Sequence, residues 1–287
     1  MAEQLGFGID IGGSGIKGAY VNLLSGEFAT DRYRIPTPQP ATPEAVAAAV
    51  KKLVDRFDVP ASVPIGIDFP APILHGVAPM IANLDPEWKD RDVLSLFSGY
   101  LDRPVFVVND ADAAGFAEVH YGAASGYDGL VIVLTLGTGI GSVLVMDGVL
   151  VPNTELGHLE LDGRDAETHA SSGVFERENL GWRRWASRLQ RYFSHLEMLF
   201  SPDVFIVGGG ISKKADKFLP LIETRAPIVP AELRNTAGIV GSALLAAVDA
   251  GTFTLDRETK KAIKKARKQI RSDKKNLKKA KKSKKSE

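Results

Sequence analysis

The sequence predicts an α/β fold with glycine turns at its ligand-facing edge, and three observations carry that expectation. Short apolar runs of strand length, among them Phe7–Ile11, Val63–Phe69, Pro104–Val108, Leu130–Leu134 and Asp203–Val207, end on glycine, proline or Asn/Asp. Between them lie helical patterns, such as Val46, Val50, Leu53, Val54 and Phe57 at three- and four-residue steps. Two glycine turns, Asp10-Ile-Gly-Gly-Ser-Gly-Ile-Lys17 and Thr135-Leu-Gly-Thr-Gly-Ile-Gly-Ser142, have a strand on each side. Glycine lets the backbone approach a ligand closely, and successive N–H groups in such a turn form a concave anion site. Two such turns point to two jaws closing on one phosphate chain.

Composition sets the bounds. With 287 residues, 44% of them hydrophobic, the chain can bury one large core or two smaller ones. It has no cysteine, which excludes a disulfide framework and a thiolate metal site. No basic-then-apolar leader opens the sequence, so a cytoplasmic enzyme is expected. The uncharged run 129–146 is nominally long enough to span a membrane, but its central glycines make two buried strands the better reading, and no membrane partner is expected. The net charge of +1 conceals an asymmetry: residues 257–287 carry +13, leaving −12 on the rest. An acidic body with a basic tail points to a polyanionic partner for the tail, although the residues show no specific nucleic-acid motif.

In chain order, Gly13, Gly15 and Gly18 match G-x-G-x-x-G, but a strand follows where the dinucleotide motif needs a helix. No P-loop pattern occurs. Asp10 ends the first strand and either holds Mg²⁺ near the phosphates or caps a turn. A proline-rich connection precedes the helix 43–57. Asn83 falls in the loop Asn83-Leu-Asp-Pro-Glu-Trp88, and a helix is expected over 92–100. The strand 104–108 delivers Asn109-Asp110. A carboxylate beyond the carboxyl end of a strand can take a proton from a substrate hydroxyl; equally, Asp caps the helix that follows. After the central hairpin, Glu155, His158 and Glu160 share a glycine-containing loop and are suited either to a metal or to sugar hydroxyls. Residues 161–174 read as irregular, 178–200 as one long helix, and 235–250 as a small-residue helix. The strand 203–207 ends on a third glycine turn, Gly208-Gly209-Gly210. The tail 257–287 reads as flexible, with Ile263 and Ile270 allowing a solvated helix.

Taken together, the three glycine turns, Asn109-Asp110 and Glu155-x-x-His158 resemble the ROK sugar kinases, most of all their polyphosphate glucokinase and polyphosphate/ATP glucomannokinase branch. The resemblance covers roughly residues 5–250 and implies a two-lobed actin/hexokinase-like (ribonuclease H-like) fold with the active site in the interlobe cleft. The lobes are expected at 1–108 and 109–256. It implies transfer of a phosphoryl group from polyphosphate or ATP to the 6-hydroxyl of glucose or mannose, with Mg²⁺ as cofactor and a homodimer as the assembly. By the same resemblance Asp110 is the base, and Asn83, Asn109, Glu155, His158 and Glu160 orient the sugar. Asp10, Gly12, Gly13, Ser14, Lys17, Thr135, Gly137, Thr138 and Gly139 hold the phosphates; Gly208, Gly209 and Gly210 lie on the nucleotide side. Most of the family carries a cysteine-rich zinc motif where this chain reads Leu161-Asp-Gly-Arg-Asp-Ala-Glu-Thr-His-Ala-Ser-Ser172, so no zinc is expected. One rival reading, a sugar-binding repressor, needs an N-terminal DNA-binding domain for which a strand at Phe7 leaves no room; a second, a sugar-binding scaffold, gives the tail a nucleic-acid role, and neither needs a base at Asp110.

Overall fold

The structure is a computed structural model, and it describes residues 4–81 and 84–283. The chain begins with the antiparallel hairpin β1 (Leu5–Gly12) and β2 (Gly15–Asn22), edged by β3 (Glu27–Phe28) and β4 (Tyr33–Ile35). Helix α1 (Pro43–Phe57) starts where Thr42 accepts from the Ala45 N–H and Pro43 occupies the first turn, and it stops at left-handed Asp58. Its apolar stripe, Val46, Val50, Leu53 and Val54, is buried on the sheet. Strand β5 (Ile65–Phe69) lies parallel to β1. The short pair β6 (Val77–Ala78) and β7 (Arg91–Asp92) leads to helix α2 (Val93–Leu101). Strand β8 (Phe106–Asn109), parallel to β5, passes directly into α3 (Asp110–Tyr121).

A second sheet follows. Strands β9 (Leu130–Leu136), β10 (Ile140–Met146) and β11 (Val149–Val151) form an antiparallel meander. The stretch expected to be irregular holds the small hairpin β12 (Glu160–Leu161) and β13 (Arg164–Asp165), then the short helices α4 (Glu167–Ala170) and α5 (Ser172–Arg177). The long helix expected from residue 178 is shorter. Asn179 takes a left-handed φ of 48° and Gly181 caps, so α6 runs from Trp182 to Phe200. Strands β14 (Val204–Gly208) and β15 (Ile228–Pro230) add in parallel, giving the order β11-β10-β9-β14-β15 against β3-β2-β1-β5-β8 in the first sheet.

Helices α3 and α7 (Ala237–Asp249) form the layer between the sheets. The contact is backbone on backbone. A Cβ on Gly8 would stand 1.9 Å from the Ile239 carbonyl oxygen, and one on Gly66 would stand 1.9 Å from that of Ser242. Glycine inside a strand marks such an approach. On the other side Gly115 of α3 faces Val143 of β10. Helix α7 comes late in the chain yet seats on the first sheet, so strands β1, β5 and β8 reach the cleft on a braced platform.

The basic tail departs from the flexible segment expected of it. Residues Arg257–Ser283 form helix α8. Ile263 is buried in the cluster that holds Tyr121 and Phe253, and Arg267 and Arg271 meet Glu232. The docking residues recur at helical spacing, but their acidic partners lie far away in sequence. Among the described residues, no helix is long and apolar enough to cross a membrane.

Candidate active site

Strands β1, β5 and β8 end together at one edge of the first sheet, with Asp10 opposite Asp68 and Phe69 opposite Asn109. Ligands of open α/β sheets bind beyond such carboxyl ends. The two roles open to Asn109-Asp110 separate here. Asn109 is the cap: its Oδ1 accepts from the N–H groups of Ala111 (2.9 Å) and Asp112 (3.1 Å). Only its Nδ2 remains for a substrate. Asp110 is the first helical residue, and its side chain opens toward the cleft. The cleft walls nevertheless crowd it. That burial, reinforced by the negative fields of Asp10 and Glu155 and opposed by the Ala111 N–H, lifts its pKa to about 6.

The first glycine turn projects beside it. Asp10 pairs with Lys17 at 2.6 Å, its register partner across the hairpin. Thr37 Oγ1 donates to the Gly12 carbonyl at 2.5 Å, and the Arg34 guanidinium donates to the Ser14 carbonyl, so the backbone of the turn is held from below while Gly13 and Ser14 stay exposed. Asp68 is buried, and one of its carboxyl oxygens has no partner among the described residues. Burial holds its pKa well above the usual carboxylate range, and the charges of Asp10 and Asp110 add to this.

The second jaw is the β9–β10 turn. Gly137 N–H donates to the Gly139 carbonyl at 3.0 Å, and the Gly137 carbonyl accepts from Ser172 Oγ (2.8 Å) and Gly173 N–H (2.9 Å). Gly137 therefore shapes the turn, and exposed Thr138 with Gly139 is left to face the ligand. Gly208 lies opposite Thr135 across the β14–β9 pairing. Gly209 has φ +83°, and a Cβ there would stand 2.2 Å from the Leu136 carbonyl oxygen, so this position requires glycine.

The loop before β12 supplies the polar wall. His158 Nδ1 pairs with Asp165 Oδ2 at 3.0 Å, which leaves Nε2 for a ligand. That bond raises the imidazole pKa, against a smaller opposing effect of burial and with help from Glu167, Asp165 and Glu155. Burial raises the Glu155 carboxyl, His158 lowers it and Glu167 raises it. Glu160 sits exposed on β12, and His158 pairs with Asp165 and Glu167 instead of with it. Asn83 lies outside the described residues.

Comparison with known proteins agrees with this geometry. The profile of the ROK family matches residues 6–176. The chain belongs to the ROK family. It is 48% identical over 250 residues to the polyphosphate glucokinase of Mycobacterium tuberculosis (strain CDC 1551 / Oshkosh), covering 86% of this chain and 93% of that one. The crystal structure of the inorganic polyphosphate/ATP-glucomannokinase from Arthrobacter sp. strain KM superposes with a TM-score of 0.78 at 55% identity, over 85% of this chain and 99% of that one. A ROK family glucokinase from Streptomyces griseus, solved with glucose and AMPPNP, gives 0.71 at 25% identity, over 85% of this chain and 99% of that one. The fold is accordingly the two-lobed actin/hexokinase-like fold of these kinases.

Within this ROK scaffold the structure adds candidate residues that spacing did not single out. Glu167 opens α4, accepts from the Ile140 N–H at 3.1 Å and reaches within 4.0 Å of His158. Asp112 is buried in the first turn of α3; one oxygen accepts from the Asn153 N–H at 2.7 Å and the other has no partner among the described residues. Asn153 in turn exchanges two hydrogen bonds of 2.9 Å with Ile73, tying the two sides of the cleft together. Burial, opposed by the Asn153 N–H, lifts the Asp112 pKa to about 7. Its native pKa is raised, so the native state favours the protonated form. That contribution is complete below the ordinary carboxylate range and is lost as pH rises through about 7. Asp112→Asn, which keeps an acceptor for Asn153, is therefore expected to melt higher than wild type at pH 8, with the gap closing toward pH 4. Thermal melts across that range check it, and a gap that is constant with pH contradicts it.

Proposed function

We propose that this ROK protein is a sugar kinase that transfers a phosphoryl group from inorganic polyphosphate, or from ATP, to the 6-hydroxyl of glucose, with mannose as a second acceptor. The observation that carries the reading is the division of labour at the start of α3. Asn109 takes the capping role, which leaves the Asp110 carboxyl at the cleft with a pKa of about 6. A carboxylate ionised at neutral pH yet close to it in pKa suits general-base work. The names of the M. tuberculosis and Arthrobacter relatives support the donor and the sugar.

Phosphoryl transfer depends on positioning and charge. Asp110 accepts the O6 proton as O6 forms the new P–O bond and the donor's bridging P–O bond breaks. Glu155, His158 through Nε2, Asn109 through Nδ2 and the newly placed Glu167 orient the sugar hydroxyls, with Glu160 at the margin of the same wall. Gly12, Gly13, Ser14, Thr138 and Gly139 offer N–H and hydroxyl donors to the phosphates, with Lys17 adding positive charge. Gly208, Gly209 and Gly210 border the nucleotide side. Asp10 and the unpartnered oxygen of Asp68 are hard donors that fit Mg²⁺. Among the described residues no three His, Cys, Asp or Glu side chains gather into a metal cage, which suits a cation that takes one or two carboxylates and completes its shell with phosphate and water. A Mg²⁺ held there would supply positive charge to offset that on the transferred phosphoryl group. The reading includes a cytoplasmic homodimer, for which exposed Val149 and Val151 on edge strand β11 offer apolar surface.

The test is a donor comparison at matched phosphate, following glucose 6-phosphate with Mg²⁺ present. Turnover is expected with polyphosphate and with ATP. Activity with neither removes the kinase reading, and activity with ATP alone removes polyphosphate from it.

A further inference from the structure

Helix α8 has two unlike faces. Its inner face docks: Ile263 is buried, Arg271 reaches Glu232 at 2.6 Å and the Gly122 carbonyl at 2.8 Å, and Lys274 reaches Glu27 at 2.9 Å. Its outer face carries exposed Lys264, Lys265, Lys268 and Lys275, none of which meets a carboxylate among the described residues. Like charges three and four residues apart weaken a helix, so this face holds unrelieved repulsion that a polyanion would neutralise.

Two adjoining hollows lead from the glycine edge of β9 and β14 to α8. A cavity of about 130 Å³ begins at Thr135 and Gly208–Gly210 and is walled by Lys213 and Arg234. Arg234 and Ala231 also line a shallow groove of about 600 Å³ whose far wall is Arg271 of α8. The carboxylates along this route are occupied. Glu118 accepts from the N–H groups of Ala123, Glu232 and Leu233, and Glu232 is paired with Arg267 and Arg271. A nucleotide ends within the cleft, whereas a linear polyphosphate continues past its reacting end and needs an exit.

Resting on the reading of polyphosphate as a donor, we propose that a long polyphosphate chain leaves the cleft between Lys213 and Arg234, crosses the groove to Arg271 and is held along the lysine face of α8. Polyphosphate fits better than nucleic acid, because residues 257–287 contain no aromatic side chain on which bases would stack. The chain brings charge alone, and the helix answers with charge alone.

The experiment replaces Lys264, Lys265, Lys268 and Lys275 together by Gln, which preserves helix propensity, and in a second protein by Arg, which preserves charge. KM is measured for long-chain polyphosphate, short-chain polyphosphate and ATP at low and high salt. For the Gln protein, KM for the long chain is expected to rise about tenfold at low salt, and the salt dependence is expected to flatten by about one logarithmic unit of slope per lysine removed. The Arg protein should restore both, with KM for ATP and for the short chain unchanged. An unchanged long-chain KM at low salt in a folded Gln protein overturns the track and leaves the donor reading intact. Wild type that ignores polyphosphate overturns both. Loss of RNA binding in the Gln protein with polyphosphate KM unmoved reassigns the face to nucleic acid.

Discussion

Asp110→Asn is expected to lower kcat for glucose phosphorylation by about two to four orders of magnitude, the usual worth of a positioned general base, while glucose binding changes little. The substitution is close to isosteric. Asn109 still caps α3, and an Asn at 110 keeps an oxygen to accept from the Ala111 N–H, which Asp110 Oδ1 now does at 2.8 Å. What disappears is the group proposed to take the O6 proton. The pH dependence carries the same signature. With the carboxyl pKa at about 6, the base is ionised above that value, so wild-type kcat/KM is expected to fall as pH drops through it. The variant should lack that limb. Turnover within tenfold of wild type, measured beside glucose binding on one preparation, reduces Asp110 to a structural residue of the first turn.

The features legible in the sequence are those whose cause is local. The strands that end on Gly12, Asn109 and Gly208 announce themselves as apolar runs meeting turn residues, and Thr42-Pro43 marks the start of α1 by its own chemistry. Asn109-Asp110 was half legible. Both side chains suit a cap, and only the backbone of α3 shows which of them bonds to Ala111 and Asp112. Glu167 was silent, because its meaning comes from the β10 backbone at Ile140, distant in sequence and joined to it by no pattern. Asp68 was hidden inside a strand of five buried residues, where its register against Asp10 gives it a role that composition could not. The tail misled for a related reason. Sparse apolar residues read as solvated, whereas Arg267 and Arg271 find Glu232 only after α3 and β15 are in place. Gly8 and Gly66 carried a signal that is easy to pass over: a glycine inside a strand often means that another backbone comes close.

That last signal leads to a large stability effect. Gly66→Ala is expected to cost about 3 kcal/mol or more, the upper end of overpacking, and to lower the melting temperature by roughly 6–12 °C on the scaling for domains of this size. The new Cβ would stand 1.9 Å from the Ser242 carbonyl oxygen and 2.3 Å from its carbon, so it meets backbone and not a flexible side chain. Neither partner can retreat. Strand β5 lies between β1 and β8, and α7 is held on β1 at Gly8 and on α3 at Gly241, where a Cβ would stand 1.8 Å from the Ala113 carbonyl oxygen. Relief therefore requires lifting α7 off the sheet, and the strand that moves carries Asp68 two residues further on. Gly99→Ala supplies the contrast within the same protein. That glycine is exposed on α2, and among the described residues nothing lies within 4 Å of where an alanine methyl would stand, so alanine there gains about 0.5–1 kcal/mol from helix propensity alone. Urea and thermal unfolding of the two variants should move in opposite directions. If Gly66→Ala unfolds with wild-type stability, α7 is not seated on β5 and the platform under the catalytic edge is held by something else.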